Sequence, residues 1–257
     1  MNKISVVINT LNADRILEYC LESVKHAHEI VICDMYSTDR TIQIAENYNC
    51  KIFYHEKTGI VEPARNFAMA QATGEWILVL DADEIVTPEL WQSLVDYSNN
   101  PKPNHFVCFI PRDTLVFGKR PVKERACKRF WKNGNCYYSD AIHQAPRTKE
   151  GKELFLKGKN IKIIHYHIPS ISSLIEKTDR YTDFELKRFE EKGRKFSLFM
   201  LLTRPSLEFF KYYFVNGGIF HGLHGFIFCV MKGHYKFIQW AKLFEKEYKE
   251  KNKDLIY

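Results

Sequence analysis

Trp76-Ile77-Leu78-Val79-Leu80-Asp81-Ala82-Asp83-Glu84 is the stretch that decides the fold. Five apolar residues in a row, without alternation, read as a strand buried on both faces, as parallel strands covered by helices are. Carboxylates follow at once, and alternate residues at a strand end direct two of them, Asp81 and Asp83, toward one point. Hard divalent cations such as Mg²⁺ or Mn²⁺ take oxygen ligands, typically one or two carboxylates together with substrate phosphates. Three acids in a row can equally cap the helix that begins near Pro88, and a D-x-D alone is a weak motif. Its place directly behind a buried strand weighs toward chemistry.

Working outward, Ile4 to Asn9 reads as a first strand, and Ile16, Leu17, Cys20, Leu21 and Val24 recur at helical spacing after it. Glu29 to Cys33 is a second strand ending on Asp34. Ser37-Thr38-Asp39 opens a second helix, and Cys50 to Tyr54 is a third strand. Pro63 stands in the first turn of a helix over 62–72, which Thr73-Gly74 closes. Strand–helix alternation at this pace predicts a doubly wound α/β sheet, whose ligands lie beyond the carboxyl ends of the strands. Asp34 and Asp81 fall at two such ends. Beyond Asn99 the pattern breaks into shorter strands at 107–110, 114–117, 128–131 and 161–167. From Ser170 it is helical, over 171–189, 196–214 and 218–249. The expected division is a catalytic domain over 1–169 and a helical, aromatic-rich extension over 170–257.

Composition narrows the function classes. The 257 residues hold 45% hydrophobic and 27% charged side chains, ordinary for a globular protein with a sizeable core. Seven scattered cysteines with no C-x-x-C pair argue for a reducing compartment and against a disulfide framework or zinc site. The apolar start is too short for a secretory segment, and the best membrane candidate, 217–231, is short and carries His221 and His224. The expected location is the cytoplasm, with membrane contact at most peripheral. The net charge of +7 resides after residue 185, where 14 Lys/Arg face 7 Asp/Glu. A basic tail on a neutral domain points to an anionic partner, unless its lysines merely solvate helices.

Two further residues stand out. Asp34 can accept the imide N–H of a pyrimidine base, since Ser37 or Asp39 suffices to cap the next helix. Arg65, on the helix before the D-x-D strand, can hold a diphosphate with its bidentate fork, although an exposed helix arginine is the commoner case.

Together these residues resemble the family 2 glycosyltransferases, and more closely the branch that includes bacterial lipopolysaccharide-core glucosyltransferases. The shared features are 4–10, 29–34 leading into 37–41, Ala64-Arg65-Asn66-Phe67-Ala68, and 72–84. A weaker similarity continues through Ala141-Ile142-His143-Gln144 and Gly222-Leu223-His224-Gly225-Phe226. The resemblance implies a GT-A fold with a mixed sheet, a nucleoside-diphosphate sugar donor (commonly a UDP-sugar), inversion at the anomeric carbon, and a lipid-linked or surface-glycan acceptor. It also implies that Thr10 and Asp34 line the nucleoside site, that Arg65 approaches the diphosphate or base, that Asp81 contacts the ribose or sugar, and that Asp83 binds the metal.

Two departures matter. Where the family commonly has Asp-Asp-Gly-Ser or Asp-Ser-Gly-Ser, this chain has Asp34-Met35-Tyr36-Ser37, which reshapes the nucleoside pocket. Where relatives often carry His-Glu, it has His143-Gln144. An inverting transfer needs a base for the acceptor hydroxyl proton, and glutamine cannot serve. Asp140 is expected to be that base and His143 the second candidate; a turn aspartate and a core histidine are the structural alternatives. His165 and His167, one residue apart on a strand, face one side, and one of them can complete a metal shell.

In the tail, Phe196, Phe199, Met200, Leu207, Phe210 and Phe214 are expected along one helix side, with lysines and aromatics interleaved further on. Such faces suit an anionic membrane, a dimer interface or packing on the catalytic domain. A sugar-nucleotide pyrophosphorylase shares the architecture but needs a glycine-rich first loop, and residues 9–13 contain no glycine. A non-catalytic membrane- or nucleic-acid-binding protein leaves the strand-end acids unexplained, so no nucleic-acid partner is expected.

Overall fold

The computed structural model describes residues 3–57, 61–139, 145–168 and 170–252. The chain begins β1 (Ile4–Thr10), α1 (Leu17–Val24), β2 (Glu29–Asp34), α2 (Thr41–Asn47), β3 (Lys51–Tyr54), α3 (Glu62–Ala70) and β4 (Trp76–Asp81). It continues through β5 (Glu84–Val86), α4 (Pro88–Asn99), β6 (His105–Ile110), β7 (Arg112–Val116) and β8 (Cys127–Lys132). Short strands β9 (Cys136–Tyr137), β10 (Arg147–Thr148), β11 (Lys152–Phe155) and β12 (Ile163–Ile168) follow, then helices α5 (Ile171–Glu191), α6 (Leu198–Phe210) and α7 (Gly222–Lys251). Two compact units result: Met1–Asp113 with Arg125–His165, and Thr114–Glu124 with Tyr166–Tyr257.

The first unit is built on a seven-stranded mixed sheet in the order β11-β6-β8-β4-β1-β2-β3. Strands β4, β1, β2 and β3 run parallel, while β8 is antiparallel to β4 and β6. The continuous apolar runs are explained by coverage of both faces. Val6, Ile8, Ile30, Ile32, Trp76, Leu78 and Leu80 join the apolar residues of α1 and α4 in one core. The alternate residues Val7, Val31, Cys33, Ile77 and Val79 join Ala64, Ala68 and Met69 of α3 in another. This period of two is what a pleated strand imposes.

The register positions the candidate site. Thr10 lies opposite Asp34, Asn9 opposite Asp81, and Asp34 opposite Tyr54. Four carboxyl-terminal strand ends are thus brought level. The helix beginning at Pro88 is capped by Thr87, whose hydroxyl accepts from the Leu90 N–H, rather than by the acids at 81–84. Those acids instead straddle a sharp turn from β4 into β5, a strand the sequence did not disclose.

In the second unit, Val116 and Val122 pack with Phe228 and Cys229, which is why 114–124 groups with the helices rather than with the sheet. Gly222, at φ +57° and ψ −143°, takes a backbone conformation open essentially to glycine alone. A Cβ on Gly225 would stand 2.0 Å from the Gly218 carbonyl oxygen, so the Gly222-Gly225 pair is required by the turn into α7. The aromatic stripe expected on α6 is split. Phe196 and Met200 pack with Phe189, Trp240 and Leu243, whereas Phe199, Leu207, Phe210 and Phe214 remain exposed. Among the described residues no single helix is long and apolar enough to cross a membrane. Leu198–Val215 and Gly218–Lys251 pass a length and composition test only as a pair, bent by 70°.

Candidate active site

Asp81, at the end of β4, is gripped from two sides. Arg65 of α3 donates Nη2 to Asp81 Oδ1, and Arg129 of β8 donates Nη2 to Asp81 Oδ2 at 2.5 Å. Arg129 also donates to Glu84 Oε1 at 2.9 Å, and Arg112 approaches the same oxygen at 3.3 Å. The other Glu84 oxygen accepts the Asp81 N–H at 3.0 Å, which closes the turn. Burial by itself would raise the Asp81 carboxyl, but Arg129 and then Arg65 outweigh it and hold the group well below the usual carboxylate range. The result is an acid whose two oxygens have fixed directions.

Arg65 is itself positioned by the Tyr138 ring, 5.1 Å from its guanidinium carbon. Its neighbour Asn66 clamps the same residue, donating Nδ2 to the Tyr138 carbonyl and accepting the Tyr138 N–H, each at 2.8 Å. Arg65 Nε is buried with no partner among the described residues, and so are both amide atoms of Asn9. Unsatisfied buried polar atoms are rare in folded proteins. Three of them lie beside Asp81.

Asp83 lies one turn further, and its Oδ1 is 3.2 Å from Nε2 of His165. His165 reaches it because β12 pairs antiparallel with β5, His165 opposite Glu84. A carboxylate and an imidazole are both donors a divalent transition ion accepts, so the pair fits a cation completed by phosphate oxygens and water. Among the described residues no group of three or more metal-ligating side chains gathers here or elsewhere. The His167 side chain lies outside the described residues, as do Asp140 and His143, the candidates for the base.

Thr10 and Asp34 are brought together, but not as an open acceptor. Asp34 is fully buried; Oδ1 accepts the hydroxyls of Thr10 at 2.7 Å and Ser37 at 2.6 Å, and Oδ2 accepts the Ser37 N–H at 2.7 Å. The capping argument expected Asp34 to be free, and it is not wholly so: Thr10 of β1 and Ser37 of its own loop take three of its acceptor positions. Asn12 and Asp39 extend the lashing, Asn12 Oδ1 accepting the Thr38 N–H and Asp39 accepting the N–H groups of Asp14 and Thr41. The loops after β1 and β2 are thereby held as one rim.

Sequence reasoning assigned no role to Arg129, Glu84, Arg112 or Tyr138. One signal was available: Arg129 directly precedes Phe130-Trp131, and an arginine carried into a buried strand must be paired.

The model of "Glycosyl transferase family 2" matches residues 5–178. An uncharacterized glycosyltransferase of Rickettsia felis is 27% identical over 265 residues, covering 98% of this chain and 93% of the relative. The lipopolysaccharide core biosynthesis glycosyltransferase LpsC of Rhizobium meliloti is 26% identical, covering 95% of this chain and 92% of its own. Among solved structures, residues 1–349 of Staphylococcus aureus TarS are 15% identical with a TM-score of 0.49, over 99% of this chain and 93% of that one. With a family model spanning the whole strand-end site, the chain belongs to glycosyl transferase family 2 and carries its GT-A-type α/β fold.

Proposed function

We propose that this glycosyltransferase moves a sugar, with inversion, from a nucleoside-diphosphate donor to a lipid-linked or surface-glycan acceptor. The observation that carries the reading is the convergence, at the carboxyl end of β4, of an arginine-locked acid (Asp81), an Asp83–His165 donor pair and the partly unsatisfied Arg65. Asp81 is suited to direct a ribose or sugar hydroxyl, and the free Arg65 N–H to meet a diphosphate oxygen. Asp83 and His165 would hold Mg²⁺ or Mn²⁺, which supplies neutralisation of the charge developing on the departing diphosphate. UDP is the donor nucleotide the family resemblance favours, and the likeness to LpsC supports a lipopolysaccharide-type acceptor.

The base for the acceptor hydroxyl is assigned to Asp140, with His143 second. Asp140→Asn should cut turnover by about 10²- to 10⁴-fold with UDP affinity unchanged. A folded Asp140→Asn enzyme near wild-type rate overturns the assignment.

Contact with an anionic membrane completes the proposal, and the cytoplasmic face suits the seven unpaired thiols. Between Phe196 and Met231 only Arg204, Glu208 and Lys211 carry charge. Phe199, Leu207, Phe210, Phe214, Phe220 and Leu223 are exposed there. Isolated exposed apolar residues are ordinary, but so many on one bent helix pair favour an interfacial surface. Thermal protection by UDP, measured with and without Mn²⁺, tests the donor and metal readings together. A melting temperature unmoved by UDP, GDP or dTDP sinks the donor reading.

A further inference from the structure

Tyr36 occupies φ +60°, the left-handed region that disfavours a bulky side chain, at the position where the family resemblance leads one to expect glycine. The backbone has kept the glycine conformation and placed a ring on it. That ring is 61% exposed and stacks on Tyr54, itself 49% exposed, with centroids 5.6 Å apart and planes 26° from parallel. Core packing does not account for the pair, because both residues stay about half exposed or more.

The location gives it a use. Tyr54 ends β3 directly opposite Asp34, which ends β2, and the His55 N–H donates to the Asp34 carbonyl at 3.0 Å. Ser37, the residue after Tyr36, is tied to the Asp34 carboxylate by both its N–H and its hydroxyl. The loop that presents Tyr36 is therefore held. Beside it Thr10 and Asp34 are sealed from solvent by their own hydrogen bonds. What a planar ligand meets at this edge of the sheet is the outer face of the tyrosine pair.

We propose that Tyr36 and Tyr54 form a stacking platform for the nucleobase of the donor. The inference rests on the donor reading above and adds to it the group that grips the base. Stacking acts on the π-face, which every base possesses, so the platform supplies affinity, and discrimination among bases falls to groups at the ring edge.

The test is isothermal titration of UDP, with inorganic pyrophosphate as the base-free probe, on wild type, Tyr36→Gly, Tyr36→Phe and Tyr54→Ala in the presence of Mn²⁺. Tyr36→Gly should fold at least as well as wild type, because glycine takes φ +60° without cost. Its UDP affinity, and that of Tyr54→Ala, should fall by about 5- to 20-fold, the lower part of the range for one aromatic–base stack. Pyrophosphate binding should be unchanged, and Tyr36→Phe should match wild type. UDP affinity within twofold of wild type in a folded Tyr36→Gly protein overturns the platform. So does an equal loss for UDP and pyrophosphate, which would trace the effect to loop shape. Failure of the wild type to bind UDP, GDP or dTDP removes the donor reading and the platform with it, an outcome distinct from both.

Discussion

Replacing Arg129 by methionine should be the most damaging single change at the site, although sequence reasoning did not select it. The side chain is 7% exposed and bridges two carboxylates, Asp81 at 2.5 Å and Glu84 at 2.9 Å. Methionine fills comparable space but leaves Glu84, which is fully buried, with the longer Arg112 contact and the Asp81 N–H as its partners among the described residues. Breaking a buried ion pair by removing one partner costs about 3–5 kcal/mol, because the other charge stays behind without compensation. Against a net stability of about 5–15 kcal/mol that is a large fraction, and for a chain of this size it corresponds to a fall in Tm of about 6–20 °C. Arg129→Lys keeps the charge but lacks the planar fork that reaches both acids, so its loss should be smaller. Adding Glu84→Gln to Arg129→Met should restore part of the stability by removing the uncompensated charge. Urea unfolding of the four proteins at pH 7 measures all three terms. An Arg129→Met protein within about 1 kcal/mol of wild type, or a double variant less stable than the single, refutes the argument that this arginine neutralises two buried acids.

Three further outcomes are expected. Asp83→Ala and His165→Ala should fold normally yet lose the part of UDP thermal protection that depends on Mn²⁺, while the metal-independent part persists; unchanged Mn²⁺ dependence in both would remove the metal assignment. Glu29, though buried, is held at about 2 against an ordinary value of 4.5 by the Lys51 ammonium, the Ser5 hydroxyl and the Thr73 N–H and hydroxyl. Its native value being the lower one, its stabilisation is complete above about pH 4.5 and is lost as pH falls toward 2. The stability gap between wild type and Glu29→Gln should therefore narrow below pH 4.5, and a gap constant from pH 3 to 7 contradicts the assignment. Combined Phe210→Ser, Phe214→Ser and Phe220→Ser should release the protein from phosphatidylserine vesicles at low salt, since these exposed rings carry the apolar part of the contact; wild type that ignores such vesicles ends the membrane proposal.

Much of the fold was legible along the chain because it rests on local signals. The apolar runs within Ile4–Thr10, Glu29–Asp34 and Trp76–Asp81 lack alternation, as strands of a helix-covered parallel sheet do, and the helices between them carry their own periodicity. Composition and order therefore determined the α/β class, the strand ends bearing Asp34 and Asp81, the helical extension and the family resemblance. The pairings across the chain were not legible. That Arg129 of β8 would meet Asp81, that His165 of β12 would meet Asp83, and that Tyr36 would stack on Tyr54 are consequences of register between strands far apart in sequence. A side chain's partner depends on which strands become neighbours and on a shift of a single residue, which reverses the face it occupies. The same cause hid one partner of Asp34. Its position at a strand end and its closeness to Ser37 are written in the sequence, but the Thr10 hydroxyl it also accepts arrives only when β1 and β2 lie side by side.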